Sequence, residues 1–331
     1  MEAYKYGPVV LWERTVQHAL KNFCDPGSTI LDLGANICGV SIALARLVGP
    51  RGAVHAFECN PSLVEWARKN IDVNEADNIT LVSKAVFSRS SEWIPFYCEG
   101  SIFGHGSSLY RRDDGSREVL VETVSIDDYC KQLKIRPSAI KIDVEGAEWD
   151  ALRGGRAVLV DAEPVVVFED AGRHEINRDP MTILLDAGYA LYDSASYRSV
   201  DRRFYDERPG VSNVLAIPPR LKRSFSYRRE HICTVTANFN AVALPAGGRY
   251  VLECQLDGSG SETAFLQAVD SEKGQIEVMY ETRLPSLKHH TNSNLVVDVP
   301  RACVMRLECG SQVAIPDLAI RKVEVFLIHY Q

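Results

Sequence analysis

The segment from Ile30 to Gly39 constrains the fold of this chain more than any other part of the sequence. It reads Ile-Leu-Asp-Leu-Gly-Ala-Asn-Ile-Cys-Gly, so an apolar strand ends at an acid and a small-residue loop before the helical apolar pattern of residues 40–47. A second apolar run over 53–57 ends at Glu58. This order of strand, tight loop, helix, strand and acid is typical of a ligand held over the carboxyl ends of a parallel sheet. The sequence therefore predicts a nucleotide-like ligand at this loop.

The acid at position 32 separates two classes of such ligands. Dinucleotide folds use G-x-G-x-x-G, whose glycines and helix N-terminus hold a pyrophosphate. Here Asn36 stands at the second glycine position, and Asp32 precedes Gly34 by two residues. A carboxylate repels a pyrophosphate and attracts a sulfonium or ammonium group. The pattern therefore favours S-adenosylmethionine over NAD, with a Rossmann-type oxidoreductase as the alternative.

Composition limits the class of protein further. At 331 residues the chain exceeds the ~250–300 residues at which a single core stops growing, so we expect two domains. The net charge of −7 lacks the basic excess that phosphate binding requires, which argues against a nucleic-acid partner. The nine cysteines include no C-x-x-C pair and predict buried free thiols in a reducing cytoplasm. Because no run of 18 apolar residues occurs, we expect no membrane span.

Strand and helix signals alternate from residue 29 to residue 217. The predicted helices are at 8–22, 39–48, 62–70, 125–133, 146–159 and 180–187. The predicted strands are at 29–33, 53–57, 78–87, 139–143, 164–168, 189–193 and 213–217, with short β-like pieces at 93–97 and 119–124 around a polar loop. This alternation predicts a doubly wound, Rossmann-like α/β sheet with an added antiparallel end.

The character of the sequence changes after Pro219. Half of residues 220–229 are Lys or Arg, which indicates a solvated basic linker. From residue 230 onward the helical period disappears, and short alternating runs divided by Gly, Pro and Asn predict a small β-sandwich. We therefore expect a Rossmann-like domain at 1–219, a linker at 220–229 and a β-rich accessory domain at 230–331.

Three short blocks carry a resemblance to a known family. They are Asp-Leu-Gly-Ala-Asn-Ile at 32–37, Ala-Phe-Glu-Cys-Asn-Pro at 56–61 and Lys-Ile-Asp-Val-Glu-Gly-Ala-Glu at 141–148. Together they resemble the FkbM-type methyltransferases over about residues 28–170. The resemblance implies a class I, Rossmann-like enzyme that uses S-adenosylmethionine, and most members methylate hydroxyls of sugars or natural products. It does not extend to the C-terminal region.

The resemblance also implies which residues contact the cofactor. By matching motif these are Asp32, Gly34, Ala35, Asn36, Glu58, Asn60, Lys84, Ala85 and Asp143. The loop residues Asp32 to Asn36 would line the methionine part, Glu58 would bind the ribose hydroxyls, and residues 83–86 would lie near adenine. The alternatives are a turn or capping aspartate at position 32 and a solvent-facing acid at position 58.

One position departs from the family pattern. Members usually carry glycine directly after the Gly-Ala-Asn-Ile run, whereas this chain has Cys38 there and Gly39 one place later. We expect a side chain at this position to crowd the cofactor or to tilt the start of the helix.

Candidate catalytic residues follow the predicted strand at 139–143. Methyl transfer to a hydroxyl requires alignment of the acceptor oxygen and removal of its proton. Asp143 ends this strand, Glu145 and Glu148 follow closely, and clustered carboxylates raise one another's pKa. The alternative for both glutamates is a structural role at a helix N-terminus. His105, in a loop that could fold over the site, is a further candidate base, followed by His174, and a surface position is the alternative for both.

A divalent metal is an alternative way to activate the acceptor. Asp143, Glu169 and Asp170 end predicted neighbouring strands, so their oxygens could hold Mg²⁺ and lower the pKa of the hydroxyl. We do not favour this arrangement, and the sequence assigns no metal ligands.

The sequence as a whole predicts a cytoplasmic S-adenosylmethionine-dependent O-methyltransferase for a sugar or glycosylated metabolite. The alternatives are a nucleic-acid methyltransferase on the same fold and a non-catalytic binding protein that has lost turnover through Cys38. All four tryptophans lie before residue 150, so the C-terminal region lacks the commonest platform for sugar stacking. We expect that region to serve assembly, including a possible homo-oligomer, or substrate gating rather than glycan binding.

Overall fold

A computed structural model describes residues 14–98, 109, 117–170, 178–194, 197, 199–200 and 213–222, together with the backbone of eight strands after residue 226. The chain divides into two compact units, Met1–Ser224 and Phe225–Gln331. No helix within the described ranges is long and apolar enough to cross a membrane. The sequence predicts a Rossmann-like domain at 1–219 and an accessory domain at 230–331. These limits and the roles of the two domains stay predictions.

The first unit contains alternating helices and strands, as the sequence predicts. The helices are α1 Arg14–Lys21, α2 Gly39–Val48, α3 Pro61–Val73, α4 Ile126–Leu133, α5 Glu148–Arg153, α6 Arg156–Asp161, α7 Pro180–Asp186 and α8 Pro219–Lys222. The strands are β1 Thr29–Leu33, β2 Ala53–Phe57, β3 Ile79–Val82, β4 Ala85–Val86, β5 Trp93–Cys98, β6 Arg117–Val124, β7 Ala139–Ile142, β8 Val165–Glu169, β9 Ala190–Asp193 and β10 Asn213–Ile217.

Seven of these strands form the central sheet, in the order β3-β2-β1-β7-β8-β10-β9. The first five run parallel, and β10 is antiparallel to both β8 and β9. Because helices cover both faces of a doubly wound sheet, its central strands are almost wholly buried, which explains the continuous apolar runs of β1, β7 and β8. The Rossmann-like fold with an antiparallel end is confirmed for this unit.

The register brings the chemically interesting strand ends together. Leu33 of β1 lies opposite Phe57 of β2 on one side and Ile142 of β7 on the other. Ile142 in turn lies opposite Phe168 of β8. The carboxyl ends of four parallel strands therefore meet at one edge, where ligands bind in open α/β sheets.

Two predicted elements are divided in the structure. The predicted strand at 78–87 is two strands, because the chain leaves the central sheet after β3 and β4 pairs with β6 in a small sheet of order β4-β6-β5. The predicted helix at 146–159 is also wrong, since it breaks between α5 and α6 at Gly154 and Gly155. A Cβ at Gly154 would overlap the carbonyl oxygen of Phe87, and one at Gly155 would lie 2.9 Å from Ile126 Cδ1. Because the two glycines carry no Cβ, the chain between α5 and α6 packs closely against the residue after β4 and against α4.

The part of the second unit that the structure describes contains eight strands in two four-stranded sheets. The strands are β11 Tyr227–Thr236, β12 Ala241–Leu244, β13 Gly248–Asp257, β14 Ala264–Asp270, β15 Glu277–Arg283, β16 Thr291–Val299, β17 Cys303–Cys309 and β18 Ala319–Tyr330. The sheet orders are β11-β18-β13-β16 and β12-β17-β14-β15. Because α8 ends at Lys222 and β11 begins at Tyr227, regular structure occupies both ends of the predicted linker. The face-to-face packing of a sandwich stays a prediction.

Candidate functional site

The loop that follows β1, residues 34–38, is called the glycine loop here. The amide groups of Gly34 and Ala35 both donate to the carbonyl oxygen of Phe57, at 3.0 and 2.8 Å. The amide of Asp143 donates to Leu33 O at 3.0 Å, which ties the loop to the end of β7. Gly34 has φ 78°, and a Cβ there would overlap the carbonyl oxygen of Asp143. Only glycine combines this left-handed conformation with so close a backbone approach.

The carboxylate of Glu58 is fixed by backbone groups on both sides of it. Its Oε2 accepts from the amide of Asn36 at 2.9 Å, and its Oε1 accepts from the amide of Asn60 at 2.8 Å. The side chain is buried, which excludes the solvent-facing alternative. Burial raises the pKa of Glu58 to about 7, against the opposing effect of the two amide bonds. Each carboxylate oxygen has a second lone pair, so the group can still accept from hydroxyls of a ligand.

Asp32 is fully buried beneath the glycine loop. Its Oδ2 accepts from Ser41 Oγ at 2.5 Å, and this links β1 to α2. Its Oδ1 has no hydrogen-bond partner among the described residues and lies 3.7 Å from Lys141 Nζ. A buried carboxylate oxygen without a hydrogen bond is unfavourable by itself. The ammonium of Lys141 balances part of this charge, and the negative charge of Asp32 would repel a pyrophosphate bound at the loop.

The ends of β7 and β8 form an acidic cluster beside the loop. Asp143 Oδ2 accepts from Lys141 Nζ at 3.2 Å. Glu169 follows Phe168, the residue opposite Ile142, and so stands next to Asp143. Burial, together with the charge and hydrogen bond of Asp143, raises the pKa of Glu169 to about 8. The carboxyl of Glu169 therefore holds its proton more readily than a free glutamate does.

Glu148 and Glu145 occupy different environments from Asp143. Glu148 Oε1 accepts from the amides of Val144 and Gly146, both at 3.1 Å, and the side chain is buried. Glu148 therefore holds the turn before α5, which favours the structural alternative for it. Burial raises the pKa of its carboxyl above the usual value. Glu145 is half-buried and has φ 53° within this turn. The catalytic roles predicted for both residues stay predictions.

The remaining predicted cofactor residues have partners of their own. Asn60 Oδ1 accepts from the amide of Ser62 at 3.1 Å and caps α3, so its side chain serves the helix. Lys84 Nζ lies 2.6 Å from Glu122 Oε1 in a half-exposed ion pair. Ala85 is buried in β4. His105 and His174, the two candidate histidine bases, lie outside the described residues.

The described residues hold no group of three or more His, Cys, Asp or Glu side chains arranged to bind a metal. The set considered from the sequence, Asp143, Glu169 and Asp170, therefore does not form such a site in the structure. The residues predicted from the sequence did not include Lys141 as a functional residue. The signal for Lys141 was present, since a lysine inside the apolar run Ala-Ile-Lys-Ile is rarely buried without a partner.

Cys38 does not face an open surface. Its side chain is fully buried and packs with Ile42, Ala56 and Ala67 between β2 and the helices. Burial also raises the pKa of the thiol, which keeps it protonated. The residue has φ 62° and ψ 27° at the N-cap of α2, a left-handed conformation that glycine adopts more readily. The expected crowding of the cofactor is therefore not supported by the position of this side chain.

Replacing Cys38 by Gly should change stability by less than about 1 kcal/mol, because relief of the left-handed backbone offsets the loss of a small buried side chain. Replacing it by Val should cost about 2 kcal/mol or more, since β-branched residues tolerate this conformation poorly. Denaturant unfolding of the three proteins measures both effects. Equal stability of the Gly and Val variants would contradict this explanation.

Comparison with known proteins gives a family match and several distantly similar structures. Residues 32–191 match the family model described as the methyltransferase FkbM domain. Similar solved structures include the methyltransferase FkbM of Methylobacillus flagellatus KT, at 18% identity and TM-score 0.39, with 58% of this chain and 44% of that chain covered. They also include a precorrin-6y C5,15-methyltransferase of Geobacter metallireducens GS-15, at 18% identity and TM-score 0.35, with 62% and 84% covered.

A third similar structure is Aeropyrum pernix fibrillarin with natively bound S-adenosyl-L-methionine, at 12% identity and TM-score 0.37, with 62% of this chain and 74% of that chain covered. The chain thus matches less than half of the length of the Methylobacillus protein. No curated protein is similar enough to count as a match. Residues 32–191 thus match the methyltransferase FkbM domain, which confirms the family resemblance for this part of the chain.

Proposed function

We propose that the first unit binds S-adenosylmethionine at the glycine loop and transfers its methyl group to a hydroxyl of a sugar or glycosylated metabolite. The observation that carries this proposal is the placement of three carboxylates, those of Asp32, Glu58 and Asp143, around a glycine loop at one sheet edge. The first is suited to attract a cation, the second to accept from ribose hydroxyls and the third to accept a proton.

The negative charge at the end of β1 favours binding of the cationic methionine end of the ligand there. The carboxylates of Asp32 and Asp143 face one ammonium, that of Lys141, so the three groups carry a net charge of −1 when all are ionised. This excess lies partly buried, where electrostatic attraction is stronger than in water. Gly34, Ala35 and Asn36 would bring backbone close to the ligand, and Glu58 would bind its ribose hydroxyls.

Asp143 is the group that we assign to the proton of the acceptor. When bound, S-adenosylmethionine supplies an electrophilic methyl group on a cationic sulfur. As the acceptor oxygen forms its bond to that methyl and the bond from sulfur breaks, the hydroxyl proton would pass to a carboxylate oxygen of Asp143. Glu169 lies beside it with a pKa raised to about 8, so we assign the role of proton acceptor to Asp143 rather than to Glu169.

For the second unit we propose the sandwich packing of its two sheets and a role in assembly. The support for the sandwich is that the described strands form two separate sheets of four strands each. The support for assembly is that the unit contains no tryptophan, which is the commonest platform for sugar stacking. Sedimentation of the whole chain tests this role. Self-association is the expected result, and a monomer at high concentration would contradict it.

The proposed reaction is tested by incubating the chain with S-adenosylmethionine and a panel of sugars, glycosides and small phenols. Mass spectrometry should show an acceptor that gains one methyl group, with one S-adenosylhomocysteine formed for each transfer. A parallel panel of RNA and DNA tests the other class of substrate. Transfer to nucleic acid alone would contradict the proposal, as would cofactor binding without turnover on every hydroxyl.

The affinity for the cofactor should fall as the pH drops through about 7. The ribose hydroxyls donate to ionised Glu58, and the pKa of this carboxyl in the free protein is about 7. Protonation below that value removes the acceptor charge, so Kd should rise by up to about tenfold per pH unit. Calorimetric titration with S-adenosylhomocysteine between pH 5.5 and 8 checks this, in buffers at about constant ionic strength. Glu58→Gln should bind more weakly and lose this pH dependence, so an unchanged slope in that variant would assign the titration to another group.

A further inference from the structure

Lys141 lies beneath the candidate site and contacts both halves of it. Its ammonium donates to the carbonyl oxygen of Gly34 and to Asp143 Oδ2, both at 3.2 Å. It also lies 3.7 Å from Asp32 Oδ1. The side chain is only 4% exposed, and Lys141 lies in β7, the fourth of the seven strands of the central sheet. One buried ammonium thus connects the glycine loop to the end of β7.

We propose that Lys141 is a positioning residue that couples the glycine loop to the Asp143 carboxylate. This inference rests on the proposed function and assigns a residue that neither the family match nor the proposed proton transfer requires. With Oδ2 held by the ammonium, rotation of the Asp143 carboxylate is restricted. With the Gly34 carbonyl held by the same ammonium, the loop that would carry the methyl donor keeps a fixed distance from the carboxylate. Alignment of this kind matters because a displacement of ~1 Å can cost about 10²-fold in rate.

A purely structural role for Lys141 makes a different prediction. If the ammonium only balanced the buried charge of Asp32, its removal would lower stability or cofactor affinity, and turnover at saturating cofactor would be preserved. Lys141 can itself take no proton from the acceptor while it is ionised, because an ammonium has three donors and no acceptor. Its effect on turnover must therefore pass through the groups that it holds, namely the Asp143 carboxylate and the position of the glycine loop relative to that carboxylate.

The test is a double-mutant cycle of Lys141→Met, Asp143→Asn and the combined variant, with the exposed Lys131→Met as the matched control. Turnover at saturating S-adenosylmethionine gives kcat, and calorimetry with S-adenosylhomocysteine gives Kd independently of activity. We expect Lys141→Met to lower kcat by about 10²-fold and to change Kd by less than about tenfold. The combined variant should have the kcat of Asp143→Asn within about threefold, since the two residues act as a unit.

Two results would overturn the inference. One is a Lys141→Met variant with kcat within about threefold of the wild type. The other is a combined variant that loses a further ~10²-fold relative to Asp143→Asn, because multiplicative losses mean independent roles. If Lys141→Met does not fold, the combined variant still permits the second comparison, since it leaves one carboxylate, that of Asp32, rather than two without the ammonium. A wild-type chain that binds no cofactor would instead contradict the proposed function, so the two failures are distinguishable.

Discussion

Replacement of Asp143 by Asn will lower kcat by about 10²–10⁴-fold while changing the affinity for S-adenosylhomocysteine by less than about threefold. Asparagine has nearly the shape of aspartate and can still accept a hydrogen bond from Lys141, but its amide does not take up the acceptor proton. Asp32 remains near the ammonium at 3.7 Å, so the buried charge keeps a partner. The loss should therefore fall on turnover rather than on binding or folding.

Steady-state kinetics at saturating S-adenosylmethionine and calorimetry with S-adenosylhomocysteine measure the two quantities for Asp143→Asn. Glu145→Gln is the matched control, because Glu145 lies two residues further along the same turn and also loses one carboxylate. It should keep most of the activity. A near-normal rate in Asp143→Asn, or an equal loss in both variants, would assign the base to another residue.

Replacement of Gly34 by Ala will destabilise the protein by about 4 kcal/mol or more, an exceptional value for one methyl group. Two separate costs add. The left-handed conformation at φ 78° is unfavourable for alanine, and the new Cβ overlaps a backbone carbonyl, that of Asp143. Backbone yields less than the end of a flexible side chain, so relief requires the ends of β1 and β7 to separate. Since Asp143 lies at this contact, any folded variant should also lose turnover.

Gly39→Ala is the matched control for this substitution. A Cβ at Gly39 would have no atom within 4 Å, and the residue begins α2 without a left-handed φ. We expect a change of less than about 1 kcal/mol, with a small gain possible from the helix propensity of alanine. Denaturant unfolding of both variants tests the comparison. Similar stabilities for Gly34→Ala and Gly39→Ala would show that the loop does not need glycine at position 34.

Local patterns predicted the central sheet well because its strands are buried on both faces. The apolar runs at 29–33, 53–57 and 213–217 match β1, β2 and β10 residue for residue. The start of α2 at Gly39 was also predicted, since the apolar helical period begins directly after the loop. These elements depend on burial and periodicity, which the sequence carries locally.

Contacts between distant segments explain the predictions that failed. The break between α5 and α6 depends on the carbonyl of Phe87, more than sixty residues earlier, and no local signal distinguishes it from a tolerated Gly-Gly pair. The departure of β4 from the central sheet depends on pairing with Thr123 and Val124. Propensity within one window does not contain such information.

In the candidate site, too, local patterns indicate some residues, whereas contacts between distant segments do not show in the sequence. Asp32, Glu58 and Asp143 were predicted because each is an acid that ends or directly follows an apolar strand. The bond from Lys141 to Gly34 O joins residues 107 positions apart, and the capping of the 144–146 turn by Glu148 appears only once the loop is folded. Strand ends can be read from a sequence, whereas the partner of each side chain requires the register of the sheet.

Calorimetric titration of the whole chain with S-adenosylhomocysteine and S-adenosylmethionine tests whether the glycine loop between β1 and α2 is the cofactor site. The wild type should bind one molecule per chain. Asp32→Asn, which keeps the shape of the side chain and removes its charge, should bind S-adenosylmethionine at least about tenfold more weakly. A folded wild type that gives no heat of binding with either ligand, or an Asp32→Asn variant with unchanged affinity, would contradict the account.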